Sequence, residues 1–338
     1  MKFTILLLLN TVFFSCSSLA HINTHDTHKH DKPERSLSTL SFTELEHHIK
    51  NNKFIVAQQY SHNKLLNELK KRANASPAKN YFWQASLLQR AHKFQSSLAV
   101  LEQYLHHHPA DIDALLLRAN IETVIGKYDK ALATCLSLAG LHSVELSMVC
   151  TLDVKMQTQP LEPIIKQLST SPVRQGSSEL ALFTQELYAT ALFLDGQYQL
   201  ALAELEPIMH NQLASSTWIL YADIQMQLKQ PHKIVESFGQ LELNNQDIPD
   251  ALLVRLAHAA PHKWSTTAKQ RIEERLKQDA ENYSDSLAYY FYFVAKEPVR
   301  ALYWAKLQSQ LSSLKMDNWL YQKIHRELRV QLQASTDK

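Results

Sequence analysis

Apolar residues recur at helical spacing along most of the chain. Phe54, Ile55, Ala57, Tyr60, Leu65, Leu66 and Leu69 follow that spacing between residues 53 and 72, as on one buried face of a helix. Just upstream, Ser41 stands three residues before Glu44, the spacing at which a serine cap and a carboxylate bond each other's backbone N–H. Residues 251–260 and 266–279 read as one helical pair, and 287–296 and 298–311 as another joined by a short turn. Pro298 suits a first helical position, and residues 319–332 read as a terminal helix. Only the start breaks the pattern. Lys2 precedes an apolar run over residues 3–14, and Ser18-Leu19-Ala20 puts small residues where a signal peptidase reads. This predicts a secretory signal peptide cut after Ala20, too short for a lasting membrane span.

Composition narrows the fold. Only 5 of 338 residues are glycine, which disfavours phosphate-cradling loops and turn-rich β folds. The formal charge of +2 gives no global electrostatic reason to bind nucleic acid. No H-E-x-x-H, G-x-S-x-G or P-loop motif is present, so the chain does not read as an enzyme. Phe13-Phe14-Ser15-Cys16 weakly resembles a bacterial lipoprotein box, which keeps a lipid anchor at Cys16 as the alternative to a freely exported chain. An oxidising compartment permits a disulfide between Cys135 and Cys150. Two small buried apolar side chains are the alternative.

A repeat emerges near residue 80. Phe94 and Tyr128 stand 34 residues apart, and Tyr198 follows 70 residues on. Gly126 and Gly196 lie two residues before Tyr128 and Tyr198, with His92 in the same place before Phe94. Small residues (Ala85, Ala119, Ala189, Ala222, Ala131 and Ala201) fall where two helices approach closely, and Pro109 closes the first unit. On these positions, residues 78–243 resemble tetratricopeptide repeats. The unit at 143–172 is degenerate, Ser97 replaces an alanine, and Pro207 shortens or kinks a second helix. The resemblance implies an all-α, right-handed α-solenoid of stacked helix–turn–helix units, with room for about eight pairs. The expected organisation is a signal peptide (1–20), a His-rich arm (21–40), an N-terminal helical pair (41–77), the repeats (78–243) and degenerate C-terminal repeats (244–335).

It also implies a concave groove that binds a peptide or helix of another exported or membrane protein. Family positions two, five, nine and twelve of each first helix would face it. They give Lys79, Phe82, Ser86 and Gln89, then Asp113, Leu116, Asn120 and Thr123, then Phe183, Glu186, Thr190 and Phe193. This surface is mixed and does not reproduce the basic carboxylate clamp of some family members.

Other candidates compete with bland readings. After cleavage, His21, His25, His28 and His30 would sit close to a new amino terminus, and imidazoles suit Cu, Zn or Ni. A periplasmic metal-handling accessory is therefore the alternative function, against a solvated linker. His106-His107-His108 ends a helix, where cationic rings complement the dipole. Tyr289, Tyr292 and Phe293 share a helical face, read as packing before an aromatic ledge. Lys70-Lys71-Arg72 reads as a solvated face.

Overall fold

The computed structural model describes residues 36–51, 62–72, 77–176, 178–209, 214–239, 248–277 and 280–336. The proposed signal and the histidines of the arm lie outside them, as does the 53–61 part of the first apolar stretch. All regular elements of the described residues are helical. The Ser41 cap forms in both directions: its N–H donates to Glu44 Oε2 at 2.7 Å, and its Oγ accepts from the Glu44 N–H at 3.2 Å. It opens α1 (Phe42–Asn51), followed by α2 (His62–Lys71). Arg72 is not the solvated cation its sequence context predicts. It donates to Glu68 at 2.8 Å and to the Leu37 carbonyl at 2.7 Å, tying the end of α2 to the N-terminal turn. Lys70 and Lys71 stay exposed.

Among the described residues seven hairpins follow: α3 (Pro77–Arg90) with α4 (Phe94–His107), α5 (Ile112–Val124) with α6 (Tyr128–Leu141), and α7 (Val144–Thr158) with α8 (Leu161–Ser169). Next come α9 (Glu179–Leu194) with α10 (Tyr198–Leu205), α11 (Ser215–Gln227) with α12 (Pro231–Gly239), and α13 (Asp250–Ala259) with α14 (Pro261–Lys277). The last pairs α15 (Ser284–Tyr289), extended by a π-turn at Tyr290–Val294, with α16 (Pro298–Leu311); α17 (Lys315–Thr336) ends the array. The whole is an all-α solenoid.

The hairpin turns share one geometry. His92, Gly126, Gly196, Lys229 and Lys296 all have positive φ, between 55° and 81°. In the first four, the next residue's N–H reaches back five residues: Lys93 to Leu88, Lys127 to Glu122, Gln197 to Leu192 and Gln230 to Gln225, at 2.7–2.9 Å. This is the Schellman closure of a helix end. At the fifth turn the π-turn adds a residue, and Glu297 reaches back six, to Phe291. Two turns dispense with the left-handed residue. Pro160 precedes α8 and Pro261 starts α14, so the unit at 143–172 lacks the glycine–aromatic signature yet keeps the fold.

Close helix approach explains the small residues. Ala85, Ala119, Ala131, Ala189, Ala201 and Ala222 are fully buried or nearly so. Ser97 substitutes for alanine because its buried Oγ donates across the hairpin to the Ala85 carbonyl at 2.6 Å. Before Pro207, α10 stops at Leu205 and a 3₁₀ turn (Glu206–Ile208) replaces its last turn. Two apolar cores form. One runs from α1 to α9, the other from α9 to α17. Helix α9 feeds both, with Phe183, Leu187 and Ala191 in the first and Ala189, Leu192 and Phe193 in the second. An all-round apolar helix of this kind is stable only when enclosed. Cys135 of α6 and Cys150 of α7 are joined by a disulfide, with Cα atoms 5.4 Å apart and both side chains buried.

Three outcomes are expected. Lys229→Gly should stabilise the fold by up to about 1 kcal/mol by removing a Cβ from a left-handed position. Gly126→Ala should destabilise it, because its Cβ would also lie 2.8 Å from Ser313 Oγ; urea unfolding of both variants checks the signs. Replacing Cys135 and Cys150 together by alanine should cost about 3 kcal/mol for the 15-residue loop they close, with helical circular dichroism unchanged at low temperature.

Candidate partner-binding groove

The expected groove residues lie on the first helices of successive hairpins, and their exposure divides them. Lys79 is exposed. Phe82, Leu116 and Phe183 are buried in the apolar core between helices rather than on an open face. Positions nine and twelve, among them Ser86, Gln89, Asn120, Thr123, Thr190 and Phe193, are buried as well, and several bond to one another or to backbone. Gln89 donates to Asn120 Oδ1 of the next unit at 3.3 Å. Thr123 and Thr190 return their hydroxyls to the Ala119 and Glu186 carbonyls, at 2.7 and 2.8 Å. Glu186 accepts from Ser216 Oγ at 3.5 Å. The open surface expected from the sequence is therefore corrected: eleven of these twelve positions are covered wholly or in part.

The cover includes the chain's own C-terminal segment. Asn120 and Thr123 of α5, Asp153, Met156 and Gln157 of α7, and Thr190 and Leu194 of α9 line one small cavity together with Leu314 and Met316. Ser312 is extended, at φ −133° and ψ 133°. The Ser313 N–H donates to the Val124 carbonyl at 2.7 Å, and its carbonyl accepts from the Tyr128 hydroxyl at 3.0 Å. Leu314 is 7% exposed and belongs to the first core. The Lys315 N–H donates to Gln157 Oε1 at 2.9 Å and its ammonium to the Gln159 carbonyl at 2.8 Å. Trp319 packs on Phe193, ring centroids 5.7 Å apart. Gly126 matters here for a second reason, since a side chain at that turn would strike Ser313.

Sequence reasoning missed Asp153 and Met156. They stand 33 residues after Asn120 and Thr123, so the positional rule reaches them once α7 is accepted as a first helix. The proline-built turn after α7 hid that unit. No periodic signal marked Ser312–Lys315, because that stretch belongs to no repeat.

Three carboxyl groups near this cavity and on α9 are pushed well above the usual carboxylate range. Burial pushes Asp153 up to about 7. It pushes Asp317 up to about 7 as well, aided by the charge of Asp285 and opposed by hydrogen bonds from Ser312 and Gln308. Glu186 is pushed up to about 8 by burial, which outweighs its bonds to Thr217 and Ser216. Further along, Asp223 of α11 is held by a two-pronged pair with Arg255 of α13, both contacts at 2.7 Å. Arg255 in turn lies 4.3 Å above the Tyr289 ring.

The aromatic run divides between packing and a cleft. Tyr289, Tyr290 and Phe291 are buried. Tyr292 and Phe293 line a cleft of about 420 Å³ with Lys296, Pro298, Lys323, Glu327 and Leu328. His258 stacks on Phe293 at 4.7 Å and shares a hydrogen bond with the Tyr289 hydroxyl at 3.1 Å. Burial, then the charges of Lys296 and Arg255, lower His258 to about 4. His106, His107 and His108 are exposed at the end of α4. Among the described residues no three His, Cys, Asp or Glu side chains converge on a metal-sized site. The candidate ligands His21, His25, His28 and His30 lie outside those residues. No helix among them is long and apolar enough to cross a membrane.

The shared left-handed turns, at steps of about one or two units, decide what kind of array this is. The chain is a run of helix–turn–helix repeats, consistent with the tetratricopeptide pattern. No family model and no curated protein matches it. Among solved structures, it is similar to the crystal structure of the P58(IPK) TPR domain. The two are 12% identical over 85% of this chain and 99% of that one, with a TM-score of 0.25. A score that low carries no argument, so the repeat assignment rests on the hairpins themselves.

The raised carboxyls fix a pH dependence. The folded chain keeps protons on Asp153, Asp317 and Glu186 that the unfolded chain releases above about 4, so their effect is to lower stability as pH rises from about 4 to 8. His258 works the other way, but only up to its ordinary value near 6.5. The melting temperature should therefore fall between pH 6.5 and 8. Asp317→Asn should flatten that slope in calorimetric scans; a slope unchanged in this variant would count against a buried neutral Asp317.

Proposed function

We propose that this protein is an exported, non-catalytic scaffold for protein–protein interaction, whose inner groove takes an extended peptide or a helix from another exported or membrane protein. The observation that carries this reading is the manner in which the inner face holds Ser312–Lys315. The Val124 carbonyl of α5, the Tyr128 hydroxyl of α6 and the Gln157 side chain of α7 hold the short linker into α17, and an apolar seat takes its leucine. That combination is how grooves read peptides in general: main-chain bonds supply affinity and side-chain seats supply selectivity. Export is supported by the leader-like residues 1–20 and by a buried disulfide, which persists in oxidising compartments. The periplasm, or the medium, is the proposed location, with anchoring through Cys16 as the variant of that reading.

Site-specific photocrosslinking in the native host tests it. A benzoylphenylalanine at the exposed groove position Lys79 should trap a distinct envelope protein. The same residue at the exposed Leu136 or Leu200 of the second helices α6 and α10 should not trap that protein. Crosslinks from the outer positions alone would contradict a groove-based scaffold.

A further inference from the structure

We infer that residues 312–319 are a built-in occupant of the groove, an intramolecular latch that a partner peptide must replace in order to bind. The inference deepens the proposed function and rests on its reading of the groove.

The latch has the properties of a ligand rather than of an ordinary connector. A connector between α16 and α17 needs only to reverse the chain at the surface. This one crosses to hairpins more than 150 residues earlier and bonds there through its own backbone. Ser313 contributes both its N–H and its carbonyl, to Val124 and Tyr128. Lys315 contributes its N–H and its ammonium, to Gln157 and Gln159. Leu314, between them, is buried with residues of α5, α7 and α9, and Trp319 closes the far end on Phe193. The receiving turn is shaped for this contact, since Gly126 leaves no room for a side chain under Ser313.

The hold is nevertheless of limited strength. Few direct bonds are made, and each replaces a bond to water, which leaves only a small net gain. Asp317, inside the latch, is half-buried and feels the like charge of Asp285. A segment tethered at both ends acts at high effective concentration, which blocks weak ligands and yields to strong ones. The chemistry of the latch defines the class of its competitor: an extended segment with two small residues, an aliphatic side chain for the Leu314 seat and a cation directly after it.

The test uses the full chain and a labelled synthetic peptide copying residues 311–320. Ser313→Pro removes the donor to Val124, and Leu314→Asp places a charge in the apolar seat; neither alters a groove residue. The double variant should bind the peptide at least tenfold more tightly than the wild-type chain, with an unchanged helical spectrum. Equal binding by both, or binding by neither, would overturn the latch. Hydrogen exchange on the wild-type chain provides a readout that needs no variant. The amides of Ser313 and Lys315 should exchange far more slowly than in the free peptide, and exchange at the free-peptide rate would overturn the latch whatever the groove binds. Conversely, a double variant that takes the peptide but shows no groove-dependent crosslink to an envelope protein would support the latch and count against the scaffold reading.

Discussion

A helical hairpin has more apolar surface than it can bury alone, and every larger feature of this protein follows from that. Stacking covers each hairpin with the next, and α9 carries the requirement to its limit. Its apolar residues supply two cores at once, so it is covered on both sides by neighbouring hairpins. The inner edge of the stack is a different problem. Each first helix turns polar groups toward the axis, where water is partly excluded and an unbonded donor or acceptor is costly. Bonds between units, such as Gln89 to Asn120, satisfy some of them. The returning segment at Ser312–Lys315 satisfies others and supplies the aliphatic side chain that the cavity between α5, α7 and α9 encloses. Covering the inner edge and occupying the candidate site are thus one structural event.

The carboxyls on that edge are the cost of the arrangement. Asp153 and Asp317 are buried strongly enough to keep their protons near neutral pH. Elsewhere a buried acid is matched with a base, as Asp223 is with Arg255. For Asp153 and Asp317 burial outweighs every compensating contact. Such placements lower stability, and they are common where a surface serves recognition rather than packing. The disulfide acts in the opposite sense, joining α6 of one hairpin to α7 of the next.

Much of this was legible in the sequence because repetition turns weak local signals into a strong one. Gly126 and Gly196 announced left-handed turns, and the structure puts His92, in the same register, at φ 55°. The capping pair at Ser41 and Glu44 and the early stop before Pro207 were local chemistry, decided within a few residues. Lys229 and Lys296 were missed as turn residues because a lysine gives no sign that it will adopt a positive φ. The groove was legible only as a register. Family positions nine and twelve are buried, and for Asn120 and Thr123 the cover includes a segment bonded through a contact between Ser313 and Val124, 189 residues apart in the chain. Nothing in a periodic pattern encodes a contact of that range. The same limit hid Arg72, whose basic neighbours read as a solvated run while its guanidinium turns to Leu37 and Glu68.

The linker into α17, Ser313–Lys315, bonds to the turn and helix ends of the early hairpins and so fixes where α17 starts. A pulsed electron-spin distance between labels at Leu136, exposed on α6, and His325, on α17, addresses that placement most directly. A closed array should give one narrow distribution, centred on the separation of those sites in the structure. A broad distribution extending to much longer distances, in the free and folded protein, would contradict it.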